Sequence, residues 1–283
     1  MVPLSLLLRY IEEDAPAGDI TSEVLVSGRE SSAVIIARQK GIIGGLDESG
    51  ALFSHYGVEV QSMVQDGSPV DANQKVMELR GDAEAILLVE RTALNIIGRM
   101  SGIATRTRTL VELAKRINPK VRVAATRKTC PGMRLLDKRA VLLGGGDPHR
   151  CSLSDMILIK DNHLSLVSLE EAIKKTRAVS LYKKIEVEVA SIEEAVQAAT
   201  LGADIVMLDN MPPEEAEKTI QELKRLGLRD RVAIEISGGI DESNFPVYAR
   251  LDVDVISMGC LTHTVENFNA SLEVVPGAKS FRL

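Results

Sequence analysis

From residue 121 onward the chain alternates short apolar runs with amphipathic stretches. The runs fall at 121–125, 156–159, 185–189, 205–208, 232–236 and 253–258. Most are rich in Val and Ile, the composition of strands buried on both faces of a parallel sheet. Helical stretches lie between them. Ser191 is placed to cap a helix over 192–201 that ends at Gly202, and 212–226 opens on prolines and acids and closes on Lys224, Arg225 and Gly227. A further helical stretch is expected over 242–251. Repeated strand–helix units predict a parallel sheet with crossover helices, closed or nearly closed into a barrel, with an open doubly wound sheet as the alternative.

Residues before about 105 follow a different pattern. Strands are expected near 34–39 and 58–64, with a turn at Asp66-Gly67-Ser68-Pro69. Two helices are expected, over 82–100 and 103–117. The fold expected is an α/β protein: an N-terminal α+β domain over 1–105 and a barrel domain over 106–264. The tail 265–283 returns to the first domain and supplies a strand over 270–275.

The apolar runs share one feature: each ends, on its C-terminal side, in polar residues or glycine. The first leads into Thr126-Arg127-Lys128-Thr129 and the second into Lys160-Asp161-Asn162-His163. The third carries Glu186 and Glu188, and the fourth ends in Asp209-Asn210. The fifth ends in Ser237-Gly238-Gly239 and the sixth in Gly259. An unpaired charge inside a strand costs several kcal/mol, whereas one at the strand end faces solvent. In parallel α/β folds ligands bind at the C-terminal ends of the strands. Arg127, Lys128, Lys160, Glu188, Asp209 and Ser237 are therefore expected around one cavity.

Overall charge adds a contrast. The formal net charge is −6, yet seven Lys or Arg fall between Arg122 and Arg150 against only Asp137 and Asp147. Such a local patch can focus a small polyanion. Lys138 and Arg139 are expected on a solvated helix face. Gly144-Gly145-Gly146 offers a flexible loop that an anion can approach. Ser237-Gly238-Gly239, with Gly259, is placed for a phosphate at a helix N-terminus. His263 lies just past Gly259 and is a weaker candidate there. Glu188 and Asp209 can hold Mg²⁺, bind sugar hydroxyls or stabilise a cationic transition state. Glu186 is expected in a structural ion pair, and His149 and His163 as general acids or hydrogen-bonding spacers.

Aromatic residues are 3% of the chain and Trp is absent, which argues against stacking on single-stranded nucleic acid. Three cysteines without metal-ligand spacing fit a reducing compartment. The apolar run at 4–8 is too short for a membrane span, so a cytoplasmic protein is expected.

The chain carries Glu90-Arg91-Thr92-Ala93-Leu94-Asn95, Ser101-Gly102-Ile103-Ala104-Thr105, Thr126-Arg127-Lys128-Thr129, Gly144-Gly145-Gly146 with His149-Arg150, and Ile159-Lys160-Asp161-Asn162-His163. It also carries Asp19-Ile20-Thr21-Ser22, Leu208-Asp209-Asn210, Ser237-Gly238-Gly239 and Gly259 with Thr262-His263. Taken together these motifs resemble those of the quinolinate phosphoribosyltransferase family. One departure is Asp147-Pro148, where many members carry Val-Asn before His-Arg.

The resemblance implies an incomplete parallel α/β barrel with an N-terminal open-faced sandwich. It implies a homodimer with shared active sites, in which Arg91 is offered to the partner. The implied reaction joins quinolinate and phosphoribosyl pyrophosphate, with Mg²⁺, into nicotinate mononucleotide, pyrophosphate and CO₂. Arg91, Arg127, His149, Arg150 and Lys160 would surround the diacid, and Lys128 would face the pyrophosphate. Ser237, Gly238, Gly239, Gly259 and His263 would hold the 5-phosphate. Lys128, Lys160, Glu188 and Asp209 would carry the chemistry. Three other readings stay open: a phosphoribosyltransferase for nicotinate or another acid, a Schiff-base aldolase using Lys160, and a non-catalytic phosphate-binding module.

Overall fold

The structure, a computed structural model, describes residues 2–275. Twelve strands run in chain order among the described residues. The first five are β1 (Glu30–Ala37), β2 (Gly41–Ile42), β3 (Glu59–Ser62), β4 (Pro69–Val70) and β5 (Gln74–Asp82). Then come β6 (Arg122–Ala125), β7 (Ile157–Ile159), β8 (Ile185–Val189), β9 (Ile205–Asp209), β10 (Ala233–Ser237), β11 (Val255–Met258) and β12 (Ala270–Val274). They divide between two compact units. One holds the residues up to Arg108, Leu135–Gly145 and the segment from Val265; the other holds Thr109–Arg134 and Gly146–Thr264.

In the first unit β12, β1, β5 and β3 form an antiparallel sheet in that order, and β2 pairs with β4. Residues 33–37 of β1 are all buried, because the strand is central and covered on both faces. The tail strand aligns Ala33 with Val274 and Ala37 with Ala270, where the sequence places a returning strand.

The two expected helices are one continuous helix, Ala83–Ile117. Ser101 and Gly102 look like a break but serve packing. Ser101 Oγ donates to the Gly44 carbonyl and accepts from the Gly44 amide, at 3.1 and 2.9 Å. A Cβ on Gly102 would lie 2.1 Å from the Glu266 carbonyl oxygen, so only glycine lets the tail lie against the helix. This motif is thus structural. Gly102→Ala should destabilise the protein by about 1–3 kcal/mol through overpacking. A lower urea midpoint with unchanged m-value checks this; an unchanged midpoint would refute the packing role.

The segment Leu135–Gly145 belongs with the first unit, so the barrel domain expected to run unbroken over 106–264 is interrupted. Its side chains explain why. Arg99 donates to both oxygens of buried Asp137, at 2.7 and 2.9 Å. Arg139 pairs with Asp47, Glu48 and Asp66 at 2.5, 3.0 and 3.5 Å, and Lys138 is buried. The solvated face expected for Lys138 and Arg139 is therefore wrong: the acidic partners of Arg139 lie far away in sequence. The first glycine of the triplet is packed rather than open. A Cβ at Gly144 would strike the Thr107 side chain and the Ala104 carbonyl, and the Gly144 carbonyl accepts from Arg108.

In the second unit β6, β11, β10, β9, β8 and β7 form a parallel sheet in that order. The sequential strands β7 to β11 are neighbours, while β6 joins the far side of β11. Helices Leu169–Arg177, Ile192–Thr200 and Pro213–Arg225 connect them. Ser191 caps the second by accepting from the Glu194 amide, as expected. The stretch 242–251 is helical only over Phe245–Tyr248. Asp241 Oδ1 accepts from the Ser243 amide and hydroxyl, and this local turn competes with a helix.

The β6 edge carries one further pairing. The Asp147 amide donates to the Val123 carbonyl, and the Ala125 amide donates to the Asp147 carbonyl, at 2.8 and 2.9 Å.

Candidate active site

All six parallel strands send residues into one cavity of about 440 Å³. Ala125 comes from β6, Leu158 from β7, Glu188 from β8, Met207 and Asp209 from β9, Glu235 and Ser237 from β10, and Ser257 from β11. A flat sheet cannot converge six strands in this way, so the curvature of an incomplete barrel is evident. Thr126, Arg127, Lys128, His149, Arg150, Lys160, Asn210, Gly238 and Gly239 complete the wall. Arg127, Lys128, Lys160, Glu188, Asp209 and Ser237 are therefore together, as the strand-end pattern predicts.

The basic wall carries an unsatisfied donor. Arg150 is buried. Its pKa is lowered by that burial and by the neighbouring charge of Arg127, with Glu186 and Glu188 partly opposing. The Nε of Arg127 is buried without a hydrogen-bond partner. Two adjacent guanidiniums, one with an idle donor, form a site for an anion with more than one carboxylate or phosphate oxygen. Lys128 extends over Gly259: a Cβ there would lie 3.0 Å from the lysine stem and from the His263 ring. The Lys128 carbonyl accepts from the Thr262 hydroxyl at 2.8 Å. Gly259 and His263 thus stand beside Lys128 but outside the lining of the cavity.

The acidic wall comes from adjacent strands. Register places Glu188 level with Met207 on β9, and Asp209 level with Ser237 on β10. Glu188 forms an ion pair with Lys160, which directly follows the neighbouring strand β7 at the same level. Asp209 accepts from Asn210 Nδ2 at 2.6 Å. Asn210 has φ +51° and packs so closely that a Cβ at Gly238 would lie 2.4 Å from its Oδ1. Gly238 and Gly239, at φ +90° and +60°, leave a concave backbone beside Ser237, whose hydroxyl accepts from Ser257. These glycines, rather than the expected helix start, shape this wall.

Beneath these groups lies a charged layer. His149 Nε2 stands 3.2 Å from Glu235 and 3.5 Å from Glu186. Burial alone would lower the His149 pKa, but hydrogen bonds and charge from Glu186 and Glu235 outweigh it and push it up to about 10. Glu186 is raised, chiefly by burial. Glu186 has the ion-pair partner expected of it. Glu235 is absent from the residues expected at the site, although Ala233-Ile234-Glu235-Ile236-Ser237 has the same alternation as Ile185-Glu186-Val187-Glu188-Val189. His163 lies elsewhere: its Nδ1 accepts from the Lys160 amide, a spacer role. Arg91, in the first unit, is exposed on the helix Ala83–Ile117 and is not among the residues lining the cavity.

Asp147 shapes the approach to His149. Its Oδ1 accepts from the His149 amide at 2.8 Å, closing a turn that holds His149 at φ +52°. The departure Asp147-Pro148 thus has a structural rationale of its own.

Two family models match in tandem. The N-terminal domain of quinolinate phosphoribosyl transferase matches residues 19–101, and its C-terminal domain matches 103–273. The chain belongs to the quinolinate phosphoribosyltransferase family. Among relatives of that family, a protein of Archaeoglobus fulgidus described as a probable nicotinate-nucleotide pyrophosphorylase (carboxylating) is 47% identical over 92% of this chain and 99% of its own. The nicotinate-nucleotide pyrophosphorylase (carboxylating) of Rattus norvegicus is 40% identical over 94% of this chain and 88% of its own. The solved nicotinate-nucleotide pyrophosphorylase of Francisella tularensis superposes with a TM-score of 0.89 at 35% identity, over 97% of this chain and 98% of that one. No helix among the described residues is long and apolar enough to cross a membrane.

Proposed function

We infer that this chain transfers the phosphoribosyl group of phosphoribosyl pyrophosphate to quinolinate with loss of CO₂, giving nicotinate mononucleotide and pyrophosphate. The observation that carries this is the cavity wall of Arg127 and Arg150. Two guanidiniums lie side by side in it, one with a buried, unpartnered Nε. A pyridine with two adjacent carboxylates satisfies that wall; a monoacid leaves part of it unpaired. Membership of the family supports the same reading.

In this reading Arg127, Arg150, His149 and Lys160 hold the diacid with its ring nitrogen toward the sugar. The nitrogen attacks the anomeric carbon as the bond to pyrophosphate breaks. Positive charge grows on the ribose ring, and Glu188 and Asp209 face it, while Lys128 faces the departing pyrophosphate. Ser237, Gly238 and Gly239 cradle the 5-phosphate, with Gly259 and His263 beyond Lys128. The carboxylate next to the quaternised nitrogen then leaves as CO₂; its bonding electron pair stays on the ring carbon, stabilised by the adjacent positive nitrogen, and a proton bonds to that pair. Positioning and fixed charge supply the rate.

Mg²⁺ fits the donor set, since one or two carboxylates plus substrate phosphate oxygens are its usual complement. Glu188 and Asp209 would hold it, and the ion would neutralise charge on the leaving pyrophosphate. We also take the enzyme to be a cytoplasmic homodimer, with the exposed Arg91 available to the partner's site. Lys160 supports a Schiff-base reading poorly, because its ammonium is paired with Glu188.

Assaying quinolinate and nicotinate side by side with phosphoribosyl pyrophosphate tests the assignment. Turnover of quinolinate with release of CO₂ is expected. Turnover of nicotinate alone would overturn it.

A further inference from the structure

Glu186 and Glu235, the two carboxylates beside His149, have no place in the mechanism so far. Glu186 and Glu235 have side chains 0% and 1% exposed. Both oxygens of Glu186 and one of Glu235 are buried without a strict hydrogen-bond partner. Burying two carboxylates costs several kcal/mol unless a cation compensates them. The group they converge on is the Nε2 of His149, a residue that also lines the cavity.

We propose that Glu186 and Glu235 are positioning residues that grip the His149 ring through Nε2 and so leave its second ring N–H to donate to a carboxylate of the diacid. The inference rests on the phosphoribosyl-transfer reading. Its logic is the hydrogen inventory of imidazole. A neutral ring has one N–H. With that hydrogen directed at the two glutamates, Nδ1 would be a bare lone pair, repelling an incoming carboxylate. Only the imidazolium serves both sides.

The surroundings favour that form. Glu186 approaches the ring from β8 and Glu235 from β10. On the ring's own loop the Asp147 carboxylate is taken by the His149 amide and by Arg122, Arg127 and Arg150 line the same cavity, Lys160 and Glu188 pair with each other, and Asp209 accepts from Asn210. The two contacting carboxylates prevail, which is why the ring keeps its proton far above neutrality. The trio also has the spacing of a cation site, but an imidazolium already supplies the positive charge required there.

The test begins with the unliganded full chain. It has four histidines, so the ring nitrogens of His149 can be assigned by comparison with H149N in ¹⁵N-resolved spectra. Wild-type His149 should remain doubly protonated through pH 9, and in E235Q its titration should move down by at least about one pH unit. A ring neutral at pH 7.5 in the wild type overturns the proposal. Kinetics supply the second arm. E235Q should raise KM for quinolinate about tenfold and leave KM for phosphoribosyl pyrophosphate within about twofold, and in an H149N background it should add nothing. An equal rise in that background would mean that Glu235 acts structurally and not through His149. E186Q should parallel E235Q; if it fails to fold, E235D and the wild-type titration decide. Should the wild type not turn over quinolinate, the functional reading falls while the titration still judges the ring.

Discussion

Replacing Glu188 or Asp209 by alanine should lower kcat about 10²–10³-fold, the usual cost of removing one preorganised group that faces developing charge. Both carboxylates project from the C-terminal ends of adjacent central strands and line the same cavity. Neither is fully buried, so removal should leave the fold intact. The two variants should differ in a second respect. Glu188 is the ion-pair partner of Lys160, so its removal leaves an uncompensated ammonium and should tighten the hold on anions. KM for quinolinate is then expected to stay level or fall in Glu188→Ala, while Asp209→Ala should show no such effect. Steady-state kinetics with both substrates varied, alongside thermal unfolding, measure this. A wild-type kcat in either variant removes that residue from the chemistry.

The second large effect concerns the diacid. Arg150→Ala should raise KM for quinolinate at least about 10²-fold, corresponding to roughly 3 kcal/mol for removing a charge-assisted hydrogen bond from a desolvated site. Arg150→Lys should recover only part of this, since a lysine keeps the charge but not the planar fork. The effect should be smaller for a monoacid competitor binding in the same cavity. Inhibition constants of quinolinate-like diacids and monoacids against both variants provide the comparison. If the two classes weaken equally, Arg150 is not what distinguishes a second carboxylate.

How far the chain can be read from its sequence depends on the range of the interaction. Strand ends are legible because a charge directly after Val and Ile is a local signal with a clear physical cost. That reasoning brings Arg127, Lys160, Glu188 and Asp209 to one cavity. The helix starts at Ser191 and Pro213 are legible for the same reason. Partners distant in sequence are not. Arg139 reads as solvated because nothing nearby in the chain points to Asp47, Glu48 and Asp66. Gly102 reads as a helix break because the chain that presses on it is Glu266. Glu235 escapes notice because a glutamate between two isoleucines reads as an interruption, until the alternation places it on the same face as Ser237.

The single-residue pairing of Asp147 on β6 has a consequence for solubility. A barrel that does not close exposes peptide groups along its outermost strands, which invite pairing with another molecule. At β6 Asp147 takes up those groups, and Pro148, lacking an amide hydrogen, stops any longer ladder from growing there. At the opposite margin β7 is only three residues long, too little to template a neighbour. Opening the barrel therefore does not leave it sticky, and replacing Pro148 with a β-branched residue would be the quickest way to make it so.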